Sequence, residues 1–119
     1  MSKVQTKSAS QSLATNSLTI SLVIGTDTEA WDGDFLLDQV LLAAGSAISQ
    51  VVTVRHIGAE GSDYNVVLNT STLSSETSYS FRPDGRCPLK RGDTIRLTCA
   101  NSGTPAITVY GKIQISKDA

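Results

Sequence analysis

Residues 107–115 read Ile107-Thr108-Val109-Tyr110-Gly111-Lys112-Ile113-Gln114-Ile115, and their parity decides the fold class. Ile107, Val109, Gly111, Ile113 and Ile115 share one parity, while Thr108, Tyr110, Lys112 and Gln114 share the other. Successive side chains of a strand point to opposite faces, so the run predicts a strand with one apolar and one polar face.

The same alternation recurs upstream. Leu18, Ile20, Leu22 and Ile24 are separated by Thr19, Ser21 and Val23, which makes a first strand. Phe35 to Ala43 (FLLDQVLLA) is apolar on both parities. That suits a doubly covered strand or a short helix, and strand is the expectation because Gly33 and Gly45 bracket a run short for a helix. In Ile48 to Ile57, Val51, Val52, Thr53 and Val54 are β-branched in succession, which fits a pleated surface. Gly58 and Gly61 mark a turn, after which Tyr64, Val66 and Leu68 alternate with Asn65, Val67 and Asn69. Beyond the Ser/Thr-rich stretch 70–78, Tyr79 and Phe81 alternate with Ser80 and Arg82.

Pro83 to Asp93 contains Asp-Gly, Gly-Asp and two prolines, so it is a long connection with tight turns. It leads into Ile95, Leu97 and Cys99, and Asn101-Ser102-Gly103-Thr104-Pro105 makes one more turn before the final strand. Seven or eight short strands separated by turn signals predict an all-β fold, an antiparallel β-sandwich of Greek-key or jelly-roll type.

Three divisions follow. Residues 1–16 (MSKVQTKSASQSLATN) lack apolar periodicity and cannot offset their own ordering entropy, so they are expected to form a flexible arm, free or ordered by a partner subunit. Residues 17–116 form the β-sandwich domain, and 117–119 a short tail.

Composition narrows the function. Lys+Arg number 10 against Asp+Glu 11, with a single histidine, so the dense basic field of a phosphate-backbone binder is missing and nucleic acid is not an expected partner. No apolar run approaches the roughly 20 residues that span a bilayer as a helix. The N-terminus has no signal-type apolar segment, so no membrane partner is expected and synthesis is read as cytosolic.

Cys87 and Cys99 are neither a CxxC redox pair nor half of a zinc site. Either they pair across neighbouring strands, adding about 3 kcal/mol in the chain-entropy model, or they are independent thiols, which is the preferred reading. His56 continues the row of Val52 and Val54; it reads as a hydrogen-bonded structural histidine, with no nucleophile motif beside it. Asp27, Glu29, Asp32 and Asp34 alternate through a Gly-containing segment that could ligate Ca²⁺, yet their spacing does not fit an EF-hand loop, so a solvated acidic turn is preferred and no metal or cofactor is expected. Arg91-Gly92-Asp93 spells an adhesion tripeptide, but in PLKRGDTIRL its Gly-Asp serves a turn before a strand. Among the aromatics, Trp31 is the plausible exposed anchor, with core filling as the competing reading. The candidate partner contacts are therefore Trp31, Asp32, Asp34, Arg91 and Asp93.

The Tyr64 strand, the strand ending Tyr79-Ser80-Phe81-Arg82-Pro83, the Pro88-Leu89-Lys90-Arg91-Gly92-Asp93 strand entry and the closing Val109-Tyr110-Gly111 strand together resemble small β-sandwich virion proteins of tailed bacteriophages, over roughly residues 34–115. The resemblance implies a capsid decoration or cement protein, often trimeric, seated where capsid subunits meet, without catalytic residues. A major capsid or other virion protein and further copies of the chain are the partners it implies, and the virion is the location. The competing expectation is a tail- or fibre-associated module that recognises receptor glycans through loops near Trp31 and Tyr64. An enzyme would have to rest on His56 and the acidic segment alone, and none is expected.

Overall fold

A computed structural model describes residues 2–13, 17–24, 35–58, 65–83, 88–90, 92–100 and 107–118. Among the described residues nine strands run in chain order: β1 (Ser2–Ser12), β2 (Leu18–Val23), β3 (Phe35–Ile48), β4 (Val51–Ile57), β5 (Asn65–Thr72), β6 (Glu76–Phe81), β7 (Pro88–Leu89), β8 (Thr94–Cys99) and β9 (Thr108–Asp118). Sheet A has the order β1-β9-β3-β6, with β7 also on β3; sheet B has the order β2-β8-β4-β5. Every pairing among the described residues is antiparallel.

With the two-residue β7 set aside, the other eight strands in sequence order form sheets 1-8-3-6 and 2-7-4-5. The pairs 1·8, 2·7, 3·6 and 4·5 are those of one long antiparallel ladder folded over on itself, which is the jelly-roll connection. The expected sandwich is therefore present, in its jelly-roll form.

The core lies between the sheets and follows the alternation. Ile20, Leu22, Val52, Val54, Ile95, Leu97 and Cys99 face inward from sheet B, against Leu37, Val40, Leu42, Val109, Ile113 and Ile115 of sheet A. Gly111 lies in the same inward row: a Cβ there would meet Ile20 Cδ1 at 2.6 Å and Leu97 Cδ2 at 2.9 Å, so the ends of these two buried side chains occupy the space a side chain on β9 would need.

Two expectations change. Residues 2–12 are not an unpaired arm: β1 pairs β9 residue for residue from Ser2↔Asp118 to Ser12↔Thr108. Backbone ladder bonds and one anchor supply what the polar side chains do not. The anchor is Leu13, 1% exposed, whose N–H donates to the Ile107 carbonyl at 2.9 Å. Residues 1, 14–16 and 119, which complete the expected arm and tail, lie outside the described residues. Secondly, β3 does not stop before Gly45 but continues to Ile48, with a register shift against β6 between Ala43 and Ile48. A glycine inside a strand marks a bulge as readily as an end, and the strand ends instead at Ser49-Gln50, where the chain crosses from β3 in sheet A to β4 in sheet B.

Candidate functional site

Of the expected contact residues, Trp31, Asp32, Asp34 and Arg91 lie outside the described residues, as do Asp27, Glu29, Tyr64 and Cys87. Asp93 is described, and it is only 7% exposed. Its Oδ2 accepts hydrogen bonds from the Lys90 N–H at 3.0 Å and from His56 Nε2 at 3.0 Å. The Asp93 N–H donates to the Lys90 carbonyl at 3.0 Å, and Gly92 takes φ 93°, a turn whose third position favours glycine. The Ile24 N–H donates to the Asp93 carbonyl and the Gly92 N–H to the Ile24 carbonyl, both at 2.9 Å, which binds this turn to the end of β2. Asp93 thus turns into the structure rather than outward to a partner, because a carboxylate removed from water needs the donors that this turn supplies.

His56 lies on the inner side of sheet B, as its parity with Val54 predicts, and among the described residues its hydrogen-bond partner is Asp93. The pair is a structural clasp between β4 and the turn before β8. Cys99 is a free and fully buried thiol, and burial pushes its pKa up.

The outer face of sheet A carries a different arrangement, in two parts. At one end a hydrogen-bonded chain joins β3, β9 and Arg82, the residue that follows β6. Arg82 Nη2 donates to Gln39 Oε1 at 3.1 Å, Gln39 Nε2 to Gln114 Oε1 at 3.2 Å, Gln114 Nε2 to Asp38 Oδ2 at 3.4 Å, and Ser116 Oγ to Asp38 Oδ1 at 2.7 Å. Asp38 is the extra residue at the register shift between Leu37 and Gln39; the bulge turns its carboxylate to the polar face.

At the other end the register stacks two rows across four strands. One is Ser10–Tyr110–Ala43–Ser78 and the other Ser8–Lys112–Leu41–Ser80. Directly opposed residues of antiparallel strands project on the same side, so the small residues of these rows leave open space beside the larger Tyr110, Lys112 and Leu41. The result is an open trough of about 760 Å³ whose lining includes Leu41, Tyr110 and Lys112 together with Ser8, Ser10 and Ser80. Tyr110 is 56% exposed. Sequence parity already places Tyr110 and Lys112 on the polar face of their strand. The trough itself was not legible, because its flanks come from β1 and β6, whose neighbours only the tertiary pairing defines.

The trough and the clasp are built on an antiparallel jelly-roll sandwich, which is the class of protein the fold defines. No family model matches the sequence, and no curated protein matches it. Among solved structures the chain is similar to the Drosophila NLP core, described in terms of pentamer formation and histone binding, at 14% identity and a TM-score of 0.49, covering 98% of this chain and 100% of that one. It is also similar to structures of infectious bursal disease virus, the Gx strain at 12% identity and TM-score 0.45 and the Gt strain at 14% and 0.40, each covering 97% of this chain. The chain spans 32% of the length of those viral chains. At such identities and TM-scores the likenesses concern shape alone.

Proposed function

We propose that this chain is a non-catalytic structural protein of a virion, a decoration or cement protein that seats the outer face of sheet A on a capsid lattice. The trough over Leu41 and Tyr110 carries this reading. Tyrosine supplies contact area with a polar tip, and the serines around it offer adaptable hydrogen bonds at little entropic cost. The bridged Asp38–Gln114–Gln39–Arg82 chain beside it holds that side of the face in a single arrangement. β1, which the sequence reads as an arm either free or ordered by a partner subunit, contributes Ser8 and Ser10 to the same surface while paired in its own sheet.

Self-association, with a closed trimer favoured, accompanies this reading. Val51, Val66 and Val67, at 43%, 53% and 46% exposure, stand on β4 and the edge strand β5, Val51 opposite Thr72 at one end of the pair and Val66 and Val67 opposite His56 and Arg55 at the other, and β5 has no ionisable residue. Such an edge is open to a further strand. The proposed partners are a major capsid protein of a tailed bacteriophage and copies of the chain, with the assembled virion as the location.

Co-sedimentation of the purified chain with capsid shells, alongside light-scattering mass, tests the proposal. Retention on shells by the native chain, lost in Tyr110→Ala and Ser80→Arg with the mass unchanged, supports it. A second reading, a glycan-binding tail or fibre module, draws on the same exposed Tyr110, whose ring could stack on a sugar. Tyr110-dependent binding to a glycan array without binding to shells would replace the first reading with the second.

A further inference from the structure

The outer face of sheet B is organised by two residues of like charge. Arg55 of β4 and Arg96 of β8 are direct partners in the antiparallel register, which places their Cβ atoms roughly 5 Å apart on the same side. Like charges in that position destabilise a sheet. Arg96 is restrained by a 3.0 Å hydrogen bond from its Nε to Ser21 Oγ on β2, while Arg55 is exposed. No Asp or Glu occurs in β2, β4, β5 or β8, so the four strands of this sheet supply no carboxylate to balance the pair.

The surroundings are equally consistent. The adjacent row of the same face is Thr19–Thr98–Thr53–Thr70, four threonines in register across the whole sheet, and Thr53 and Thr70 share a hydrogen bond of 3.3 Å. The face therefore offers two guanidinium forks beside a line of hydroxyls.

We infer that this face docks an acidic segment of a protein partner, with an Asp or Glu carboxylate received by Arg55 and Arg96 and neighbouring backbone groups met by the threonine row. Guanidinium forks match carboxylates bidentately, and the hydroxyls suit an extended chain lying across the strands. The inference stands independently of the trough on sheet A, which is on the opposite face of the sandwich.

The test uses the full chain and a fluorescent ten-residue poly-glutamate peptide, read by anisotropy at low and at 0.5 M salt, with poly-glutamine and inorganic sulfate as comparison probes. Salt-sensitive binding to poly-glutamate, weakened at least tenfold by Arg55→Thr or Arg96→Ala and unchanged by Arg82→Ala on sheet A, supports the inference. Arg55→Thr also removes the like-charge opposition and places a β-branched residue on the strand, so its melting temperature should rise by about 2 °C or more. Equal weakening by Arg82→Ala would mean net charge alone is responsible and would overturn the inference. So would sulfate competing as well as the peptide, which marks a free-oxyanion site, or a lower melting temperature in Arg55→Thr, which marks a structural role.

Discussion

The Tyr79 hydroxyl donates a 2.6 Å hydrogen bond to Asn69 Oδ1 and so ties β6, at the edge of sheet A, to β5, at the edge of sheet B. Both sheets end on this side of the sandwich, and the bond closes it where the inward apolar rows run out. Tyr79 itself is 9% exposed.

Replacing Tyr79 with Phe keeps the ring and leaves Asn69 without its donor. The cost should be about 1–2 kcal/mol, measured as a shift in urea midpoint at unchanged slope.

Burial also pushes the Tyr79 and Cys99 pKa values above their ordinary 10.0 and 9.0. Each group releases its proton less readily in the folded chain than in the unfolded one. Their stabilisation is therefore complete below pH 9 and is lost as pH rises from 9 for Cys99 and from 10 for Tyr79 up through their raised folded values. Urea titrations from pH 8 to 11 should show this decline, and Tyr79→Phe with Cys99→Ala should flatten it. An unchanged alkaline slope in the double variant would rule out these two groups as its source.

At Gly111 any Cβ enters the space of Ile20 and Leu97. Gly111→Ala should cost about 1–3 kcal/mol through overpacking, and Gly111→Val more. Partial recovery in Gly111→Ala combined with Ile20→Val would locate the strain between these two strands, and strictly additive costs would argue against it.

Asp93→Ala removes the acceptor shared by His56 and the Lys90 N–H. A loss of about 2 kcal/mol is expected, together with faster amide exchange at Lys90. Asp93→Asn retains an acceptor oxygen and should lose less. Equal losses in the two variants would mean that the charge matters more than the hydrogen bonds.

Deleting residues 2–12 uncovers the edge of β9 along its whole length. The melting temperature should fall by at least about 5 °C, the equivalent of roughly 1 kcal/mol, with concentration-dependent association through the freed edge. A truncated chain as stable and as monodisperse as the full one would show that β1 contributes nothing to the sandwich.

The alternation of Leu18–Ile24, Ile95–Cys99 and Ile107–Ile115 determined by itself that the fold is all-β, and determined which side of each strand faces the core, because burial acts on every second residue of a strand. It also placed His56 in an inward row and the Gly92-Asp93 pair in a turn. β1 was beyond reach, since its side chains are polar and its order comes from backbone bonds to β9, ninety or more residues away in the chain, which leave no mark on composition. The burial of Asp93 was out of reach for a related reason: a carboxylate reads as a surface group until the donors that surround it are known. The trough of Ser8, Leu41, Ser80 and Tyr110, and the opposition of Arg55 to Arg96, exist only once the register is set. Each joins residues from strands distant in sequence, and only the tertiary structure decided which of them are neighbours.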